Sequence, residues 1–217
     1  MKRTSALTAA FVAVLTLRPP GALGADLGET LATQGDGEGA APCVSCHGAD
    51  GRGNAAAGFP SLAGLDAGYL ARQVRLTRDG ERASPVMGPV VKTLSDAEIE
   101  AVSAWFAGLE AGPPATEAPT DAQAAVATRL VTEGDWPGRD LPPCASCHGP
   151  GARGVNASFP ALAGQHAAYL EAQLRAWQAG TRATDPGDLM GTVARKLTDD
   201  EITAVSRWLA AQPREVK

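Results

Sequence analysis

A chain of 217 residues with 24 acidic against 19 basic side chains, a formal net charge of −5, is a poor ligand for nucleic acid, because phosphate binding rests on clustered lysine and arginine. With 44% hydrophobic residues, that length accommodates one large domain or two small ones. The chain has only four cysteines, three histidines and three methionines, so any pattern in their placement is informative.

The first 24 residues are of a different kind from the rest. Lys2 and Arg3 precede the apolar run Ala6 to Leu17, followed by a break at "RPPG" and the small-residue site Ala22-Leu23-Gly24. This layout predicts a secretory leader over residues 1–24 and an exported, periplasmic protein. An apolar run of about a dozen residues is short of the ~20 that a membrane-spanning helix needs, and no later segment is apolar enough to span. Without the leader the balance is 16 basic to 24 acidic, a net of −8.

From there the chain is written twice. "LATQGD" (31–36) returns as "LVTEGD" (130–135), and "PCVSCHGADGRG" (from Pro42) as "PCASCHGPGARG" (from Pro143). "FPSLAG" (59–64) returns as "FPALAG" (159–164), and "YLARQVR" (69–75) as "YLEAQLR" (169–175). "LSDAEIEAVSAWFAGL" (94–109) returns as "LTDDEITAVSRWLAAQ" (197–212). The offset drifts only from 99 to 103, so insertions are small and fall in loops. Between the copies lies a Pro-, Ala- and Gly-rich stretch, which reads as a linker. The expected organisation is a leader 1–24, an N-terminal domain 25–112, a linker 113–120 and a C-terminal domain 121–217.

The pattern within each copy is helical. Ser95 with Glu98, and Thr198 with Glu201, form capping boxes, in which the hydroxyl and the carboxylate satisfy free amides at a helix start. Ile99, Val102, Phe106 and Leu109 then recur at helical spacing, as do Ile202, Val205 and Leu209. A second helix per copy runs from Tyr69 to near Gly80 and from Tyr169 to near Gly180. No alternating run predicts a sheet, so the fold class is all-α with long loops.

Three chemistries compete for Cys43, Cys46 and His47, and for Cys144, Cys147 and His148. Disulfides suit an exported chain but leave each histidine unexplained. Zinc would take two thiolates and an imidazole and still need a fourth ligand. Covalent haem uses all three groups: C-x-x-C-H is the c-type attachment signal, two thiols on one helical turn forming thioethers and the imidazole binding iron. Such haems commonly take a methionine as second axial ligand. Apart from the initiator, the methionines are Met87 and Met190, each about 40 residues after its histidine and seven before the leucine that opens the capped helix. The alternative, two flexible core fillers, must explain why both hold equivalent positions.

Through both C-x-x-C-H motifs, both "FP-x-LAG" stretches and both methionine-to-capped-helix segments, the chain resembles the dihaem class I c-type cytochromes, in particular the cytochrome c4 family. The resemblance implies two tandem helical domains related by a pseudo-twofold, each with one covalent c-type haem on Cys43 and Cys46 or Cys144 and Cys147. It implies axial pairs His47–Met87 and His148–Met190, with the carbonyls of Pro60 and Pro160 accepting the second N–H of each imidazole. Tyr69, Tyr169, Trp105 and Trp208 read as packing residues, and His166, whose twin is Asp66, as a surface or helix-start residue. Arg75 and Arg175 face either haem propionates or solvent. The implied function is electron transfer without catalysis, between a respiratory donor such as the cytochrome bc1 complex and a terminal oxidase or periplasmic reductase. A second implied role is the electron-accepting subunit of a catalytic complex such as a flavocytochrome sulfide dehydrogenase. Peripheral association with the membrane is compatible with either, and nucleic acid is no partner.

Overall fold

A computed structural model describes residues 20–114 and 118–214. The leader expected over residues 1–24 therefore lies mostly outside the described residues. Among those described there are helices and isolated bridges but no strands, and no helix is long and apolar enough to cross a membrane.

The second repeat retraces the first. A front helix, α1 (Pro20–Gln34), is answered by α6 (Asp121–Thr132). The cysteine motif forms the short α2 (Val44–His47), answered by α8 (Cys144–His148). Then come α3 (Ala67–Arg78) and α9 (Ala167–Gln178), the methionine-bearing α4 (Met87–Val91) and α10 (Leu189–Ala194), and the capped α5 (Asp96–Gly108) and α11 (Asp199–Ala210). A short α7 (Trp136–Arg139) is inserted in the second repeat alone.

Both expected capping boxes form, on Ser95–Glu98 and Thr198–Glu201, and Thr120 with Gln123 makes a third at the start of α6. The front helices escape a periodicity reading because they are rich in alanine and glycine, small residues that serve a crossing. α1 packs on α5 and α6 on α11. A Cβ at Gly28 would strike the Ala101 carbonyl oxygen, and its twin Ala127 is fully buried. Small residues here let the two backbones approach.

Each repeat has its own hydrophobic core. Leu31, Leu70, Ile99, Val102 and Phe106 form one; Leu130, Leu170, Ile202, Val205 and Leu209 form the other. Trp105 packs on the first core and Trp208 on the second. Burying an aliphatic side chain of this kind stabilises by about 1.5–3 kcal/mol, but such small cores are marginal for units of this size and call for a further staple.

Candidate haem-binding site

Each cysteine motif ends on a glycine of positive φ, Gly48 or Gly149, that turns the chain out of the short helix. The loop then doubles back through Gly53 and Gly154. A Cβ on Gly53 would lie 2.5 Å from Pro60 O, and one on Gly154 2.6 Å from Ala161 N, so glycine at these two places lets the Phe-Pro loop close over the motif. The closure delivers a carbonyl to each imidazole: His47 Nδ1 donates to Pro60 O at 3.0 Å, and His148 Nδ1 to Pro160 O at 2.8 Å. A bond at Nδ1 leaves Nε2 as the lone-pair nitrogen. Both histidines are buried, and burial pushes both below the usual imidazole pKa, which keeps them neutral as metal ligation requires. Phe59 and Phe159 stand against the two rings.

The eight residues expected to hold haem converge on one void. A cavity of about 1010 Å³ runs through both repeats, lined by Cys43, Cys46, His47 and Met87 from the first and Cys144, Cys147, His148 and Met190 from the second. Interiors are close-packed, and two small cores do not leave a space of this size unless a large group fills it. Burial raises the Cys43 thiol above its ordinary pKa and the Cys144 thiol to about 11. Neutral thiols on an apolar wall suit thioether formation, which leaves no charge. All four cysteines are free, so the disulfide alternative falls. Among the described residues no three His, Cys, Asp or Glu converge as a zinc site would require.

The polar lining lies where the repeats meet. Arg82 donates to Gln73 Oε1 at 3.1 Å, to Gln173 Oε1 at 3.0 Å and to the Tyr169 hydroxyl at 2.8 Å. Arg182 donates to Gln173 Oε1 at 2.6 Å and Gln73 Oε1 at 2.9 Å, and stacks 3.9 Å over the Trp177 ring. Among the described residues neither guanidinium hydrogen-bonds a carboxylate, and Arg182 Nε is buried without an acceptor. All six of the Tyr, Gln and Arg twins line the cavity. Two uncompensated cations beside an apolar void fit a large group that is apolar in body and acidic at its edge, as haem is.

This settles the choice at Arg75 and Arg175. Arg75 pairs with Asp96 and Glu100, and Arg175 with Asp199, on exposed faces of α3 and α9; they belong to the solvated face. Arg82 and Arg182, missed in the sequence, carried one legible signal: twin arginines two residues after the glycine that ends each helix. His166 is the N-cap residue of α9, and its Nε2 lies 2.8 Å from Arg52 O in the other repeat. Tyr69 and Tyr169 line the cavity.

Known proteins share this arrangement. The cytochrome c family matches residues 142–212, and the family described as cytochrome c oxidase, cbb3-type, subunit III matches residues 30–106. A thiosulfate dehydrogenase electron acceptor from Stutzerimonas stutzeri (strain A1501) is 49% identical over 184 residues, covering 84% of this chain and 85% of that protein. Cytochrome c4 from Pseudomonas aeruginosa is 36% identical over 175 residues, covering 78% and 83%. Reduced cytochrome c4 from Pseudomonas stutzeri superposes with a TM-score of 0.75 at 30% identity, over 87% of this chain and 98% of that one. Thiosulfate dehydrogenase (TsdBA) from Marichromatium purpuratum superposes at 0.80 with 46% identity, over 87% of this chain but only 40% of that longer one.

Two class I c-type domains in tandem, related by a pseudo-twofold and each with a covalently bound haem, define a dihaem electron carrier rather than an enzyme. The chain belongs to the cytochrome c4 family.

Proposed function

We propose that this protein is a periplasmic dihaem carrier that accepts electrons released by thiosulfate oxidation and passes them to a respiratory oxidase or reductase. Cys43 and Cys46 bind one haem, with His47 and Met87 on its iron; Cys144 and Cys147 bind the other, with His148 and Met190. Pro60 and Pro160 fix the imidazoles, and Arg82 and Arg182 face the acidic edges. The domains run over 25–112 and 121–217, joined by 113–120, and residues 1–24 are the export leader.

The haem irons supply the redox chemistry, each changing by one electron. The residues of the chain bind the ring, exclude water from it and set the basicity of the imidazole. The observation that carries the reading is the single cavity lined by both donor sets: two redox groups that share one enclosure are placed to pass electrons within the molecule. A thiosulfate-oxidising donor is favoured over the cytochrome bc1 complex or a sulfide-oxidising flavoprotein, because a relative named as a thiosulfate dehydrogenase electron acceptor shares 49% of residues against 36% for the cytochrome c4 cited above.

Protein matured with a haem-attachment system is expected to carry two haems by mass. A thiosulfate dehydrogenase supplied with thiosulfate is expected to reduce both rapidly in stopped flow. Rapid reduction by the bc1 complex and none by the thiosulfate enzyme would reassign the donor.

A further inference from the structure

The two repeats differ at one peptide of the Phe-Pro loop. His47 Nδ1 donates to Pro60 O, and the N–H at the other side of that same peptide, Ser61 N–H, donates to Gln165 Oε1 at 2.9 Å. Gln165 Nε2 donates back to Ser61 O at 2.8 Å, and the His166 N–H fixes Gln165 Oε1 from its own repeat at 3.0 Å. Gln165 is 4% exposed and belongs to the second repeat. From the same repeat the buried Arg214 donates to Ala63 O at 2.9 Å, holding the far end of the loop.

Nothing returns this contact. In the twin positions Gln165 is replaced by Leu65, Ser61 by Ala161 and Arg214 by Ala111. Leu65 is part of the apolar core and has no atom to accept from Ala161 N–H, for which no acceptor stands among the described residues. The hydrogen-bond chain from His148 stops at Pro160, while the chain from His47 runs on through a peptide into the other domain.

We infer that Gln165 is a cross-domain positioning residue that lowers the reduction potential of the first haem relative to the second. The inference rests on the reading of His47 as an iron ligand. Hydrogen bonds in series polarise one another. Accepting from Ser61 N–H makes Pro60 O the stronger acceptor, draws the Nδ1 proton of His47 further from the ring and makes the imidazole more basic toward iron. A more basic axial ligand stabilises the ferric state over the ferrous. Both imidazoles reach their proline carbonyls, at 3.0 and 2.8 Å; the repeats differ in what binds the far side of the peptide. Docking of the second domain is thereby coupled to the potential of the first haem.

The test is a haem-resolved redox titration of the mature dihaem protein, following the methionine methyl resonances of each haem by paramagnetic NMR. Gln165→Leu, which installs the residue of the twin position, is expected to favour the ferrous state of the first haem about threefold, roughly 28 mV at 59 mV per tenfold for one electron, with the second haem unmoved. Gln165→Glu, which keeps an acceptor for Ser61 N–H and adds negative charge, is expected to move the first haem the other way. The inference is overturned if Gln165→Leu leaves the first haem unmoved, shifts both equally, or if Gln165→Glu raises the potential as Gln165→Leu does, the mark of loosened packing. Failure of the ligand reading is visible separately, as absence of the iron–sulfur charge-transfer band in the unsubstituted protein.

Discussion

Arg82 Nη2 of the first repeat donates to the Tyr169 hydroxyl of the second at 2.8 Å, and Arg182 of the second reaches back to Gln73 of the first at 2.9 Å. The two guanidiniums share both glutamine oxygens, so two like charges lie side by side at the junction, Arg182 buried and Arg82 half-buried. Burial, and then the charge of Arg82, pushes Arg182 below the usual arginine range. Buried charge without a counter-charge is costly; on the proposed reading, the acidic edges of two haems would supply it, and the cluster would tie domain docking to haem occupancy.

A positive cluster beside both haems opposes the ferric state. Arg182→Met is expected to lower both midpoints, by on the order of 1 kcal/mol each for a charge removed near the surface of a low-dielectric region. A redox titration of the dihaem protein checks it, and a rise in either midpoint would contradict the electrostatic account.

Met87→Ala and Met190→Ala are each expected to abolish one iron–sulfur charge-transfer contribution and leave the other. The affected midpoint should fall by a sizeable share of the roughly 0.8 V over which axial ligands set haem potentials, because thioether ligation favours the ferrous state. The vacated position should also bind carbon monoxide in the reduced protein, which the parent should not. Absorbance of the reduced protein with and without carbon monoxide reads all of this.

What was legible in the sequence was whatever the repeat wrote twice. The cysteine motifs, the methionines and the Ser95 and Thr198 caps needed only spacing and local chemistry, and the structure gives both caps and one shared cavity. The contacts between the repeats were not legible. Gln165 and Arg214 have no twin to flag them, and an arginine such as Arg75 on a helix looks no different in sequence from Arg82 just past one. Only the fold decides which of them faces the void. The front helices were missed for a related reason: Gly28 and Ala127 are placed for close approach, and small residues leave no apolar stripe to read.

The second repeat carries an ion pair that the first does not. Glu201, whose side chain is 14% exposed, caps α11 and takes two hydrogen bonds from Arg139 at 2.8 Å each. Bonding to Arg139 lowers its carboxyl from 4.5 to about 2. A carboxylate depressed in the folded state stabilises fully above the unfolded value near 4.5, and that stabilisation is lost as pH falls through about 2. At 1.36 kcal/mol per pH unit this is at most roughly 3–4 kcal/mol. Glu201→Gln is therefore expected to destabilise at pH 7 and to converge with the parent in strong acid. Glu98→Gln, at the twin cap without an arginine, should cost less. Thermal melts between pH 7 and pH 2 would show it, and parallel curves for parent and Glu201→Gln would refute it.

The acidic excess is unequally shared: residues 25–112 hold 12 acidic and 6 basic side chains, residues 121–217 hold 11 and 10. Part of the first domain's charge is cancelled locally, since Asp50, Asp79, Asp96 and Glu100 pair with Arg52, Arg75 and Arg78. Glu29, Glu38 and Glu81 are exposed and have no salt-bridge partner among the described residues, so they contribute uncancelled charge to the field a docking protein meets. Such a field speeds encounter with a basic partner and is screened over about 10 Å at 0.1 M salt. The triple change Glu29→Gln, Glu38→Gln and Glu81→Gln is expected to flatten the salt dependence of the rate at which the donor reduces the protein. Glu133→Gln with Asp200→Asn, exposed on the second domain, should leave that dependence in place. Stopped-flow rates at rising ionic strength decide the matter. If both sets flatten the slope equally, the acids serve solubility and neither domain is the preferred docking face; if only the first set does, electrons enter through the domain whose His47 peptide is anchored to Gln165.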